Sequence, residues 1–357
     1  MIDNADALTA FAESIAHQPE IALDTEFMRE KTYRAELCLV QIACGETAVC
    51  IDPIALPDLT VLVPALTGQS CVKIMHAARQ DLEVMLPAVG LVQPVFDTQI
   101  AAALAGFPAQ IGYAELARRI LGVDLAKAHT RTDWTRRPLS AEQQKYALDD
   151  VRHLLPLRAS LLATLGAKGR LAWLEEDLLA LANADALRVA PEEAWKKVKG
   201  LPGLDESRQR LAQAVAAWRE RRAIERNRPR GWILDDLSLR EIVLRLPRSL
   251  DALGALPEMP ESVVRKCGEE LLALVRDAGI GEPAPPLPRR ERPDPSQLAT
   301  VKRLAEIASA VAGELEIGAE VLATRRELEK LAAGRQDVNL LRGWRADVIG
   351  KKLLSAL

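Results

Sequence analysis

Aromatic residues are scarce in this 357-residue chain, with six Trp, three Tyr and four Phe. That scarcity argues against a binding mode built by stacking many bases on many rings. Five cysteines (Cys38, Cys44, Cys50, Cys71 and Cys267) form no C-x-x-C pair and no ligand spacing with histidine. A zinc site and a disulfide framework are therefore disfavoured, and reduced, mostly buried thiols are expected. No apolar run reaches the length of a membrane-spanning helix, so no membrane partner is expected. The opening residues, Met1-Ile2-Asp3-Asn4-Ala5-Asp6, are acidic and lack the basic start and apolar core of a signal peptide. Cytoplasmic location is the expectation. A large excess of one charge is missing too, the net charge being −3. The balance is uneven, however. Residues 1–165 hold 14 of the 47 basic and 20 of the 50 acidic residues, leaving 33 and 30 for the rest. An acidic front and a mildly basic rear are compatible with a metal site followed by a polyanion-binding module.

The length suits two or three domains. Residues 1–165 read as α/β. Strands are predicted over 21–27, 34–43 and 47–52, and the short connections favour an antiparallel meander. Two short buried strands follow at 72–76 and 95–96, alternating with helices at 78–88 and 98–105, the latter capped by Asp97. A helix over 141–155 has Ser140 as N-cap and Gln143 at the capping-box position, with Pro156 disrupting its far end. From 166 onward the strand signal vanishes. Residues 166–203 read as connecting helices and 204–282 as a helical domain. The stretch 283–295, rich in proline and charge, reads as an exposed semi-rigid linker, and 296–357 as a second helical unit.

The chemistry starts at Asp24-Thr25-Glu26. On a strand, residues two apart point to one face, so both carboxylates project together. Two adjacent acids are electrostatically costly unless a cation lies between them, and magnesium or manganese takes such oxygen ligands. Alone, the pair reads more readily as a solvated strand end. A third acid, Asp81, falls in the first turns of the helix following His76, where the helix dipole also favours it. Tyr146 and Asp150 lie one turn apart and share a helix face, with Asp149 as an alternative partner.

Together these residues resemble the DEDDy 3′–5′ exonucleases of the ribonuclease-H-like superfamily, and within them the ribonuclease D family. Asp24-Thr25-Glu26-Phe27, Leu39-Val40-Gln41-Ile42, His76-Ala77 with Asp81-Leu82-Glu83, and Phe96-Asp97-Thr98-Gln99 match that family's landmarks in order. Arg131-Thr132-Asp133-Trp134, Arg137-Pro138-Leu139-Ser140 and the segment 146–155 extend the match across the first 155 residues. Behind them, Ala217-Trp218-Arg219 through Arg230, Ile233-Leu234-Asp235-Asp236 and Gly268-Glu269-Glu270-Leu271 resemble an HRDC domain, and 296–357 resembles a divergent second copy.

The resemblance implies a mixed-sheet exonuclease domain followed by two small all-α domains. It implies two divalent ions, Mg2+ or Mn2+, held by Asp24, Glu26, Asp81 and Asp150, with Tyr146 orienting the attacking water. A phenol with a pKa of about 10 is a poor base at neutral pH, so positioning is its first expected role. Thr25, Phe27, His76, Lys127, Arg131, Arg136 and Arg137 are candidate substrate contacts. Against that, Phe27 is equally a core residue, His76 a satisfied buried histidine, and the basic cluster a solvated loop. In the HRDC-like part, six arginines against two glutamates between 219 and 230 make Arg219, Arg222, Arg226, Arg228 and Arg230 candidate backbone contacts. The tryptophans there read as packing anchors. The implied activity is a 3′–5′ exoribonuclease releasing nucleoside 5′-monophosphates from single-stranded 3′ ends of structured RNA such as tRNA precursors, acting as a monomer. A DNA exonuclease on the same site, or a non-catalytic nucleic-acid scaffold, are the alternatives.

Overall fold

The computed structural model describes residues 1–125, 132–181, 183, 190–201, 204–277 and 294–357. Two compact units emerge. One comprises Met1–Met28, Leu37–Leu187 and Pro293–Leu357, the other Arg29–Glu36 and Arg188–Arg292.

The first unit is built on a five-stranded sheet of order β3-β2-β1-β4-β5, with β1 at Glu20–Met28, β2 at Glu36–Cys44, β3 at Thr47–Ile51, β4 at Val72–Met75 and β5 at Val95–Asp97. β2 and β3 pair antiparallel around Gly45, whose φ of 54° is left-handed, and β1, β4 and β5 run parallel. The sheet is therefore mixed, as expected. Ile21, Ala22, Leu23 and Ile74 are wholly buried, as central parallel strands covered on both faces require.

Helices flank it: α1 (Ala5–Ile15), α2 (Val63–Thr67), α3 (Arg79–Val89), α4 (Thr98–Ala105), α5 (Tyr113–Leu121), α6 (Ala141–Arg152), α7 (Leu154–Ala167) and α8 (Leu171–Leu181). The capping signals act as expected. The Asp97 side chain accepts from the Gln99 and Ile100 N–H groups at the start of α4. Ser140 and Gln143 form a reciprocal capping box on α6, at 3.1 and 2.7 Å. The expected helix 141–155 divides at His153 instead of ending near Pro156. Pro156 occupies the first turn of α7, where its missing N–H would have no helical partner anyway. Sequence inspection leaves out α1 and α5, although both are clearly amphipathic.

The helices Pro295–Leu315 and Arg325–Ala332 share one hydrophobic core with α4, α7 and α8, through Leu304, Val311, Leu328, Leu104, Leu157 and Leu174. The C-terminal residues, expected as a unit of their own, thus pack with the exonuclease part. Trp344 stacks on Trp173 at 4.4 Å, and Arg345 binds Asp177 at 2.6 and 3.0 Å. Residues 283–293 of the expected linker lie outside the described residues.

The second unit is all-helical, with helices at Glu206–Glu225, Asp236–Arg245 and Glu261–Asp277 around Leu211, Val215, Leu239, Ile242 and Leu271. The Arg29–Glu36 segment, directly after β1, belongs to it. There the Tyr33 hydroxyl donates to Glu220, a wholly buried carboxylate, and the Arg34 N–H donates to Asn227 Oδ1 at 3.1 Å.

Candidate active site

β1 carries Asp24 and Glu26 on alternate positions, flanking the buried Thr25. Thr25 donates its hydroxyl to Asp81 Oδ1 at 2.5 Å, tying β1 to the first turn of α3. α6 supplies Asp150 and, one turn earlier, Tyr146, whose hydroxyl hydrogen-bonds Asp150. Three elements far apart in sequence thus bring four acids into one electrostatic group.

Their mutual influence is large. Burial, then Asp81, Asp150 and Glu26, raise the Asp24 carboxyl well above the ordinary range. Burial, then Asp150 and Asp81, push Glu26 up to about 8. Asp150 rises to about 7 through burial and the neighbouring Asp149, against the Tyr146 hydrogen bond. Asp81 rises to about 6 through burial, opposed by the Thr25 bond. Tyr146 is raised too, by burial and then Asp150, so its phenol stays protonated.

The donor set fits divalent cations. All four groups are hard oxygen donors, none has a basic side chain within hydrogen-bond reach among the described contacts, and each is destabilised as an anion until a cation offsets the charge. No three such side chains among the described residues converge as tightly as one ion's ligand shell.

Asp149 does something else. Its carboxylate pairs with Lys145 at 2.7 Å and Arg152 at 2.8 Å on the surface of α6. Its carbonyl accepts from the Tyr113 hydroxyl at 2.9 Å. Tyr113 is a residue sequence reasoning missed. Its ring lies 5.8 Å from His76, and its phenol is raised by burial and also feels Asp150 and Asp24. A lone tyrosine opening a helix carries no periodic signal that could have flagged it. Asp97 caps α4 as expected, and its carboxylate also accepts from the Ala77 and Ala78 N–H groups at 3.1 and 2.9 Å. That grip holds Ala77 at a φ of 55° and so sets the start of the helix bearing Asp81.

The expected substrate contacts divide. Phe27 is half-buried beside Glu26 on β1. His76 spends both ring nitrogens, on Thr98 Oγ1 at 2.9 Å and the Ile111 carbonyl at 3.0 Å, and burial lowers its pKa. It is a satisfied, neutral structural histidine. Arg137 is a correction to the expected phosphate cluster. Its guanidinium donates to both Asp52 oxygens at 2.5 and 2.7 Å and to the carbonyls of Cys38, Trp134 and Arg136, which uses its donors in holding the fold. Arg136 is exposed and pairs with Asp133 at 3.2 Å. Lys127 and Arg131 lie outside the described residues.

In the helical unit Arg219 is a second correction. It is 1% exposed and donates to the Leu234 carbonyl at 2.9 Å and to Asp236 at 2.7 Å, a core strut instead of a phosphate contact. Arg222 pairs with Glu270, and Arg230 with the buried Glu220 at 3.3 Å. Arg226 and Arg228 are exposed.

Comparison with known proteins agrees with this architecture. Residues 1–165 match a family model described as 3′-5′ exonuclease, and residues 208–275 match the HRDC domain. Ribonuclease D of Jannaschia sp. (strain CCS1) is 39% identical over all of this chain and 94% of its own length, and that of Escherichia coli (strain K12) 36% over 100% and 98%. The crystal structure of Escherichia coli RNase D, described as an exoribonuclease involved in structured RNA processing, superposes with a TM-score of 0.90 at 34% identity, over 100% of this chain and 98% of that one. The catalytic core of RRP6 from Trypanosoma brucei matches at a TM-score of 0.60 and 25% identity, over 78% of each chain.

Fold and sequence models together define a 3′–5′ exonuclease joined to an HRDC domain. The chain belongs to the ribonuclease D family, and its activity is that of a 3′–5′ exoribonuclease, in a fold whose family implies divalent-metal use.

Proposed function

We propose that the chain trims the single-stranded 3′ ends of structured RNA, such as tRNA precursors, releasing nucleoside 5′-monophosphates in a metal-dependent reaction. The observation that carries this reading is the group of four acids on β1, α3 and α6, each pushed toward neutrality by burial and by its neighbours, with Tyr146 bonded to Asp150. In this reading Asp24, Glu26, Asp81 and Asp150 hold two ions, Mg2+ or Mn2+. Bound there, such ions supply an activated water and stabilise a departing 3′ oxygen.

The chain's own groups do the rest. Thr25 locks Asp81 against β1 through its hydroxyl. Tyr146, kept as a phenol, cannot accept the water's proton and instead orients the water and Asp150. In this reading Phe27, next to Glu26, contacts the terminal nucleotide, and the exposed Arg136 contacts a phosphate. The exposed Arg226 and Arg228 of the HRDC domain supply sequence-independent backbone attraction. Residues 1–165 form the exonuclease domain and 204–282 the HRDC domain in this division. The chain works as a monomer in the cytoplasm.

The experiment uses a 5′-labelled RNA hairpin with a single-stranded 3′ tail, in Mg2+, Mn2+ or chelator, beside a DNA strand of matched sequence. A metal-dependent ladder that shortens from the 3′ end and stalls near the stem is expected. An intact label in every metal would overturn the reading, and faster loss of the DNA would move it to DNA.

A further inference from the structure

Five of the six tryptophans are accounted for by packing. Trp134, Trp195 and Trp344 are buried, Trp173 stacks on Trp344, and Trp218 donates its indole N–H to Glu270 at 2.8 Å beneath Arg222. Trp232 is the exception, at 61% exposed. Single exposed apolar side chains are common, so what singles this indole out is the basic surroundings and the built turn that present it.

The turn that presents it is firmly built. The long helix ends at Glu225, and Asn227 enters the left-handed region at a φ of 44°, letting the Arg228 N–H reach back to the Ala223 carbonyl at 3.0 Å. The Asn227 side chain is held by the Arg34 N–H. Pro229, at a φ of −50°, then starts the short helix Arg230–Ile233, and the Trp232 N–H closes on the Pro229 carbonyl at 2.8 Å. On its inner side Ile233 and Leu234 are buried and pin the turn to the core. The indole is thus held outward on a fixed backbone. Over it lies the Arg228 guanidinium, 5.8 Å from the ring centroid. Acids are present nearby in sequence, but Asp235 is spent capping the next helix and Asp236 pairs with Arg219.

We propose that Trp232 and Arg228 form a stacking platform for an unpaired nucleobase of RNA, with Arg228 and the exposed Arg226 drawing in the adjoining phosphates. A flat exposed ring accepts the face of any base, and a guanidinium beside it adds both charge and a second planar group. The site would accept single-stranded RNA without sequence preference, and would reject duplex, whose bases are already stacked. This rests on the reading of the chain as an RNA exonuclease, which it deepens by assigning a contact outside the acid cluster.

The test uses the full chain in chelator, so that RNA survives, and follows anisotropy of a labelled 20-nucleotide unstructured RNA at several salt concentrations. Trp232→Ala is expected to weaken binding about 10-fold, Trp232→Phe to retain most of it, and blunt duplex RNA to be indifferent to either. Because stacking displaces no counterions, Trp232→Ala leaves the slope of log Kd against log salt unchanged, whereas Arg228→Ala lowers it by about 0.7. Single-strand affinity unmoved by Trp232→Ala overturns the platform and leaves the ring for a protein partner. An equal loss on duplex overturns it as well. Hydrolysis in Mg2+ by the unaltered chain separates the two readings: active enzyme with no Trp232 effect sinks the platform alone, and inactive enzyme sinks the exonuclease reading.

Discussion

At the scale of single residues, the acids differ by what surrounds them. Asp150 sits among carboxyls and a phenol, while Asp149, adjacent in sequence, sits between Lys145 and Arg152. Asp150→Asn should therefore cut kcat by at least about 100-fold, since it removes a donor from the four acids proposed to hold the ions. Asp149→Asn should stay within about 3-fold, because surface ion pairs contribute little. Steady-state kinetics on a tailed hairpin would compare them. Tyr146→Phe keeps the ring on Trp134 but loses the hydroxyl, and about a 100-fold fall in kcat with little change in KM is expected of lost positioning. Near-full activity would remove the tyrosine from the reaction.

The raised carboxyls also set a pH dependence. Glu26 at about 8, Asp150 at about 7 and Asp81 at about 6 all lie above their unfolded values of about 4. Between those limits the metal-free folded chain binds more protons than the unfolded chain, so its stability falls as pH rises from about 4 to 8. Bound divalent ions favour the ionised form and oppose that fall. Thermal melts at pH 5 to 8 with chelator or Mn2+ should show an ion-dependent rise in Tm that widens with pH. A constant gap would mean the acids do not bind the ions as a group.

At the scale of elements, Asp97 does more than end a strand. The same carboxylate caps α4 and holds the two N–H groups before α3. Asp97→Ala would orphan buried donors at both helix starts, costing about 2 kcal/mol or more in denaturant unfolding. It should also depress kcat, because α3 carries Asp81. Full activity with lowered stability would limit Asp97 to capping. In the helical unit, Glu220 is buried with the Tyr33 hydroxyl and the Arg230 guanidinium as partners on one oxygen. Tyr33→Phe leaves that carboxylate short of a donor and should cost about 1–3 kcal/mol.

At the scale of the molecule, the C-terminal helices complete a core that α4, α7 and α8 leave open. Arg170, buried, donates to the Leu104 carbonyl at 2.7 Å and the Leu315 carbonyl at 2.5 Å, linking residues more than two hundred positions apart. Trp344→Ala would remove a buried stacked ring and should cost about 3–5 kcal/mol. A chain ending at residue 277 should expose Leu157, Leu174 and their neighbours and aggregate or melt far earlier than the whole chain. Unchanged Tm in calorimetry would show that these helices are dispensable to the core.

Local rules carried much of this. Period-two spacing places Asp24 and Glu26 on one face, the i, i+4 relation joins Tyr146 to Asp150, and capping chemistry locates α4 and α6, because each depends on neighbours within a few positions. The strands of the meander and both short parallel strands are legible for the same reason, and the family resemblance supplied the link between acids scattered from 24 to 150. Charge counting failed where partners come from elsewhere in the chain. Nothing around Arg137 announces Asp52, and nothing around Arg219 announces a core position facing Leu234 and Asp236, so both looked like phosphate contacts. The exposure of Trp232, the second task of Asp97 and the joining of residues 294–357 to the exonuclease core are likewise set by packing. Sequence alone thus determined which chemistry the chain can carry, since that depends on residue type and near spacing. Tertiary structure decided which charges remain available for it, because a charge is consumed or left over only when distant segments meet.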